Sequence, residues 1–265
     1  MFIKRRYLTN LIRKIALRIF NSFENNNNAN FEENGERVFI ENFLLSLKGC
    51  NRQVVVFDVG ANRGKYAEMM LNNAENNDIN IYLHLFEPTK SCFGELEEKF
   101  ASKHDVSLNN YGLSDNSSVL TIYYDKEKSG LASVYKRNLD HHGVNMEMTE
   151  SINVMPCEDY IKREEIAHID FIKIDIEGHE YKAFLGFGKY LSAEFIDFIQ
   201  FEYGGANLDS HTSLMELYGL LESKGFVICK VMKEGLEIRN YQPYMENFTY
   251  SNYVAVSRNI IKAKV

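Results

Sequence analysis

The chain has 265 residues, 45% hydrophobic and 13% aromatic, with a formal net charge of −7. That apolar content supports a sizeable core and argues against wholesale disorder, and the length fits one large α/β domain or two small ones. No run of about 18 apolar residues occurs, so no membrane-spanning helix is expected. The four cysteines (Cys50, Cys92, Cys157 and Cys229) lack the spacing of a zinc or redox motif and fit free thiols in a reducing cytosol.

Residues 1–20, "MFIKRRYLTNLIRKIALRIF", hold six cations (Lys4, Arg5, Arg6, Arg13, Lys14, Arg18) and no acid, so the remainder carries −13. An acidic body repels phosphate backbones and argues against a nucleic-acid partner. Leu8, Leu11, Ile12, Ile15 and Ile19 recur at helical spacing, giving a basic amphipathic helix. The charges interrupting the apolar run, with no A-x-A-like cleavage site after it, fit a signal peptide poorly. Two placements are open: peripheral contact with an anionic membrane or a partner, or packing on the domain or on a second subunit of a homo-oligomer. Residues 21–36, "NSFENNNNANFEENGE", read as a mobile Asn-rich linker, with the compact domain over 37–265.

Strands and helices then alternate. "QVVVFDVG", "IYLHLFEP", "VSLNNYGLSD", "IDFIKIDIEG" and "FIDFIQFEYGG" read as strands, separated by helical stretches such as "GKYAEMMLNNAE", "SCFGELEEKFASK" and "HEYKAFLGFGKYL". "SVLTIYYD" alternates like a hairpin strand, and "FVICKVM" with "TYSNYVAVS" reads as a closing antiparallel pair. Repeated βα units imply a parallel sheet covered on both faces, with ligands beyond the carboxyl ends of its strands.

The first turn, "FDVGANRGKY", places Gly60 and Gly64 where a tight bend needs them. Asn62 occupies the position where the dinucleotide fingerprint has its second glycine, and no P-loop lysine follows, so the turn suits a nucleoside without phosphates. Asp58 precedes the bend, where it positions the turn or touches the ligand. Glu87 closes the second strand, where an acid accepts ribose hydroxyls. Ser114 and Asp115 of "GLSD" are expected to flank an adenine. S-adenosylmethionine has this profile: ribose, adenine, a cationic sulfonium and no phosphate.

In that order, "VVVFDVGANRGKY", "HLFEP", "GLSD" and "IDFIKIDIEGHE" resemble the FkbM-type S-adenosylmethionine-dependent methyltransferases, over roughly residues 53–257. The resemblance implies an α/β fold: a doubly wound, mostly parallel seven-stranded Rossmann-like methyltransferase sheet with an antiparallel closing strand. It also implies S-adenosylmethionine as cofactor and O-methylation, in a family that often acts on sugars of surface glycans or on secondary metabolites. Cys157-Glu158 stands where many relatives carry a Leu-Asp step, and is expected to be a helix start.

"HIDFIKIDIEGHE" sets charge at the end of an apolar strand. Alternation puts Phe171, Lys173 and Asp175 on one face, and a buried lysine needs an anion nearby. A sugar hydroxyl is a poor nucleophile until its proton is taken by a carboxylate or imidazole, or its pKa is lowered by a divalent metal. Asp175, His179, Glu202 and Lys173 are the catalytic candidates. Asp175 is also a cofactor contact, and Asp175 with Glu202 would hold a metal. Plainer roles stay open. Lys173 can neutralise Asp58 or Asp175, Glu177 can cap the next helix, and His179 and Glu180 can face solvent. Residues 130–150, with Tyr135, Lys136, Arg137 and an exposed pair His141 and His142, read as a loop lid over the substrate.

The expectation is a cytoplasmic S-adenosylmethionine-dependent O-methyltransferase, with the inner face of the membrane as one placement. It acts on a sugar hydroxyl of a glycan or small-molecule acceptor in capsule or lipopolysaccharide biosynthesis. The alternatives are a methyltransferase of a lipid or secondary metabolite, and a non-catalytic binding module at the membrane.

Overall fold

The computed structural model describes residues 7–264, without the side chains of His141, Ala263 and Lys264. The start of the expected basic helix, residues 1–6, lies outside the described residues. The helix itself, α1, runs Tyr7–Phe23 and buries none of its side chains. It meets the body at its C-terminal end, where Phe20 lies edge-on to Tyr244 at 6.0 Å. Among the described residues, contact of α1 with its own domain, one arm of the second placement read from the sequence, is confined to that end.

The stretch leading to α2 (Glu36–Ser46) corrects the expectation of a mobile linker. Asn25 and Asn26 are buried. The Asn25 amide donates to the carbonyls of Asn34 (2.7 Å) and Val231 (3.1 Å). The Asn26 side-chain oxygen accepts from Lys230 Nζ and Ser251 Oγ, both at 2.7 Å. Glu24 faces Lys230 and Arg239 at 3.2 and 3.3 Å. Asparagine tolerates left-handed backbone and bonds main-chain groups through its amide. Asn25 and Asn27 use that freedom at φ 53° and 58°, so this Asn run is a hydrogen-bonded joint.

Next come β1 (Val54–Val59), α3 (Lys65–Asn76), β2 (Ile81–Phe86), α4 (Lys90–Phe100) and β3 (Val106–Asn109). The chain then makes β4 (Gly112–Leu113), β5 (Ser118–Tyr124) and β6 (Met148–Met155), which form a separate three-stranded sheet. It returns through α5 (Cys157–Arg163), β7 (Ile169–Ile174), α6 (Glu180–Leu185), β8 (Ile196–Tyr203), α7 (Gly205–Ser210), α8 (Leu214–Ser223), β9 (Phe226–Met232), β10 (Gly235–Ile238), β11 (Ser251–Ser257) and α9 (Arg258–Lys264). Cys157 does open a helix, as expected.

The main sheet has the order β10-β9-β11-β8-β7-β1-β2-β3. Strands β7 and β2 both pair parallel with β1, so the winding reverses at β1, and a ligand crevice opens where the two directions part. Strand β11 runs antiparallel between β8 and β9, the expected closing strand. The sheet is doubly wound α/β as expected, with eight strands rather than seven, because β10 folds back on β9 at the edge. Two apolar layers sandwich it. One holds Phe39, Phe43, Met70, Leu96 and Phe171, the other Phe57, Tyr160, Phe184 and Leu217. Such double coverage explains why β1, β2 and β7 are nearly continuous apolar runs.

Candidate active site

The site begins at the bend after β1. Gly60 has φ +86°, and a Cβ there would lie 2.0 Å from the Asp175 carbonyl oxygen, so only glycine lets the ends of β1 and β7 approach this closely. Backbone N–H groups of Gly60 and Ala61 donate to the Phe86 carbonyl at 2.9 and 3.0 Å, tying the bend to β2. The Asn62 N–H donates to Glu87 Oε2 at 2.9 Å. Thr89 donates to Glu87 Oε1 through its N–H (2.9 Å) and its hydroxyl (2.5 Å). Glu87 is thus the brace of two loops and keeps one acceptor site, on Oε2, for a ligand. Burial pushes its pKa up, against those three donors.

Three compartments open along this rim. The first, about 160 Å³, is lined by Gly60, Asn62, Glu87, Leu113, Ile152 and His179 among others; its apolar wall comes from the small sheet. The second, about 320 Å³, is bounded by Asp58, Lys65, Tyr66 and Lys173. The third, about 680 Å³, is lined by Arg137, Glu177, Glu180, Glu202, Asn207 and Tyr250. Asp175 and Gly130 border all three.

In the second compartment Asp58 is 1% exposed, and neither carboxylate oxygen has a hydrogen-bond partner among the described residues. Burial pushes its pKa up to about 6, with Lys173 opposing. A buried carboxylate without a donor is costly, and a ligand ammonium would satisfy it. Lys173 is buried, 2.7 Å from Asp175 Oδ2, with its ammonium 5.1 Å from the centre of the Tyr66 ring. Burial alone would lower its pKa; Asp175, Asp58, Glu202 and Glu36 raise it instead. Phe171 and Lys173 do share a sheet face, as alternation requires: the Tyr66 ring stacks on Phe171 at 6.4 Å between ring centres and also meets the Lys173 ammonium.

The third compartment has an acidic floor. Carboxylate oxygens of Asp175, Glu177 and Glu202 lie within 4.8 Å of one another. Two of the three already face a cation: Asp175 has Lys173, and Glu177 receives Arg137 Nη1 at 2.5 Å. Glu202 has no ion-pair partner among the described residues, and burial, then Asp175, raises its pKa well above the ordinary range. This donor set suits a hard divalent ion in type, but two native cations already compete for it, and no chemical step is assigned to a metal.

Five side chains differ from expectation. Ser114 and Asp115 do not line the first compartment. Ser114 Oγ lies 2.9 Å from His179 Nε2 and Asp115 pairs with Lys182 at 2.7 Å, so both brace α6, and the apolar Leu113 faces the crevice in their place. His179 does not face solvent; it is buried at the edge of the first compartment. Its Nδ1 meets the Tyr135 hydroxyl at 3.1 Å, so both ring nitrogens are engaged, and burial lowers its pKa to about 4. A neutral imidazole with no free nitrogen is a structural strut, which corrects its place among the catalytic candidates. Glu180 is 1% exposed, not solvated. Its Oε1 accepts from the N–H groups of Ile176 (3.1 Å) and Gly178 (3.2 Å), and burial pushes its pKa up to about 7. Glu177 does not cap α6; it sits at φ 52° and turns to Arg137.

The segment 129–150 roofs the site. The Asn62 amide donates to the Ser129 carbonyl at 3.2 Å, and Ser133 Oγ to the Glu177 carbonyl at 2.7 Å. Gly130, Ala132 and Val134 line the first compartment, while Asn138 and His142 line the third. Its end, Met148 to Glu150, belongs to β6 rather than to a loop. Asn27, Ala29 and Tyr250 complete the third compartment. Nothing local in their sequence marks them as site residues.

Residues 58–228 match the family model described as the methyltransferase FkbM domain. Among solved structures, the chain is similar to a methyltransferase FkbM from Methylobacillus flagellatus KT, with 14% identity, a TM-score of 0.49, and coverage of 93% of this chain and 60% of that one. It is also similar to the CMeT domain of a citrinin polyketide synthase (8%, TM-score 0.43, 78% and 47%). A further likeness is to a SAM-dependent methyltransferase from Agrobacterium tumefaciens (7%, TM-score 0.44, 84% and 62%). The chain spans less than two thirds of each of these three. Comparison with curated proteins gave no match.

Proposed function

We infer that this chain, which belongs to the FkbM methyltransferase family, uses S-adenosylmethionine to methylate a hydroxyl of a sugar in a glycan or small saccharide. The observation that carries the reading is the meeting of three compartments at Asp175 and Gly130. The first, with Glu87 and an apolar wall, suits a nucleoside. The second, with the unpartnered Asp58, suits an ammonium and, beside Lys65, a carboxylate. Carboxylates at Asp58, Glu87 and Asp175 disfavour a phosphorylated nucleotide in the same place. S-adenosylmethionine, once bound, supplies a methyl group on a sulfonium sulfur.

The chain's own residues do the rest. Asp175 Oδ2 is held by Lys173 at 2.7 Å, which fixes the carboxylate and leaves Oδ1 to accept the proton of an acceptor hydroxyl. Glu177, Glu180 and Glu202 line the acceptor side, and oxygen-rich walls of this kind match an acceptor rich in O–H donors better than an acyl chain. The roof over residues 129–150 limits water at the meeting point.

The test is methyl transfer from S-adenosylmethionine to a panel of surface polysaccharide fragments, with hydroxylated lipids as a second panel. A gain of about 14 mass units on the saccharides is expected. Asp175→Asn should retain cofactor binding and lose most turnover. Transfer confined to the lipid panel, or a near-normal rate in Asp175→Asn, would refute the reading.

A further inference from the structure

Helix α1 presents an apolar stripe that nothing among the described residues covers. Leu8, Leu11, Ile12, Ile15, Ile19 and Phe23 lie at three- and four-residue spacing and are between 46% and 77% exposed. Lys14 and Arg18, three residues beyond Leu11 and Ile15, border that stripe. Arg13 adds a third cation, and α1 contains no acid. At about 25 Å, α1 is short for a bilayer span, and no helix among the described residues is long and apolar enough to cross a membrane.

We propose that α1 docks flat on an anionic lipid surface. Charge selects this occupant. The helix is purely cationic while the rest of the chain is strongly acidic, and an interfacial helix combines an apolar face with cations that meet anionic headgroups. A second copy of α1 laid on the stripe would bring cations near cations, which repel.

The attachment of α1 gives the docking a consequence. Just past Phe23, Glu24 pairs with Lys230 and Arg239, and Asn25 and Asn26 are buried. Asn27 donates its N–H to the Tyr250 carbonyl at 2.9 Å, and Asn27, Ala29 and Tyr250 all line the third compartment. The helix is therefore joined to the wall of that compartment by a packed, hydrogen-bonded joint. Seating α1 on a bilayer fixes the orientation of the compartment relative to the surface. If that compartment receives the acceptor, as proposed above, the acceptor is one displayed at a membrane, such as a lipid-linked saccharide.

The test is co-sedimentation of the full chain with phosphatidylcholine vesicles, with and without phosphatidylglycerol. It needs no turnover, so it stands or falls separately from the methyl-transfer reading. Pelleting is expected only with the anionic vesicles, and less at high salt. The triple variant Arg13→Gln/Lys14→Gln/Arg18→Gln should lose on the order of 100-fold in partition, and Ile12→Glu/Ile15→Glu should lose partition as well. All five positions are exposed, so an unchanged melting temperature should accompany the loss. Absence of pelleting with anionic vesicles at low salt overturns the proposal. So does a lipid-free dimer in sedimentation velocity that Ile12→Glu/Ile15→Glu dissociates, since a second copy is then the occupant.

Discussion

Replacing Lys173 by methionine probes the charge balance on which the site rests. Lys173 is 8% exposed, its ammonium bonds Asp175 at 2.7 Å, and it is the cation that Asp58, Glu36 and Glu202 share. Removing one partner of a buried ion pair leaves uncompensated charge and costs about 3–5 kcal/mol. In a domain of this size that lowers the melting temperature by about 10 °C. The deficit should also depend on pH. Burial already raises the pKa of Asp58, Glu36 and Glu202, and Lys173 opposes that rise. Without it their folded-state values climb further. A carboxylate with a raised folded pKa contributes stability that is present below its unfolded pKa and lost as pH rises through the folded value. Thermal denaturation of Lys173→Met and the parent at pH 5 and pH 8 should therefore show a small deficit at pH 5 and the full deficit at pH 8. A deficit below about 1 kcal/mol, against the roughly 3–5 kcal/mol expected of a broken buried pair, or one that is the same at both pH values, would refute the idea that Lys173 neutralises this rim.

Glu180 gives a second pH test. With its pKa pushed up to about 7 by burial, the folded carboxyl binds a proton that the unfolded chain releases from about pH 4.5 upward. The parent should lose on the order of 3 kcal/mol of stability between those values through this group alone. Glu180→Gln should flatten that part of the stability profile, and parallel profiles would contradict it. Asn26→Ala removes the acceptor for buried Lys230 and for Ser251. It should cost about 2 kcal/mol in urea denaturation, whereas a neutral result would mean the Asn-rich joint is loose after all.

Much of this architecture is written in local pattern. Runs such as "VVVFDV" and "IDFIKI" have no polar face, which only a strand covered on both sides tolerates. The bend at Gly60 is legible because a positive φ has few other tenants. Burial of Lys173 beside Asp175 follows from alternation plus the cost of an unpaired charge. What escaped the sequence depends on partners far along the chain. His179 looks like a base until Ser114 and Tyr135 take both of its nitrogens. Glu180 looks solvated until the turn at Ile176 and Gly178 folds its N–H groups onto the carboxylate. The Asn-rich segment has the composition of a linker, yet its amides find Val231, Lys230 and Ser251 more than 200 residues away. Strand β6 hid in an apparent loop because only Ile152 and Val154 are fully buried along it.

The most direct test is calorimetric titration of the full chain with S-adenosylmethionine and, separately, with ATP. The crevice between the Gly60 bend and Glu87 should take up one S-adenosylmethionine per chain, weakened in Asp58→Asn, and give no heat with ATP. Binding of ATP in competition with S-adenosylmethionine, or no binding of S-adenosylmethionine at all, would contradict the assignment.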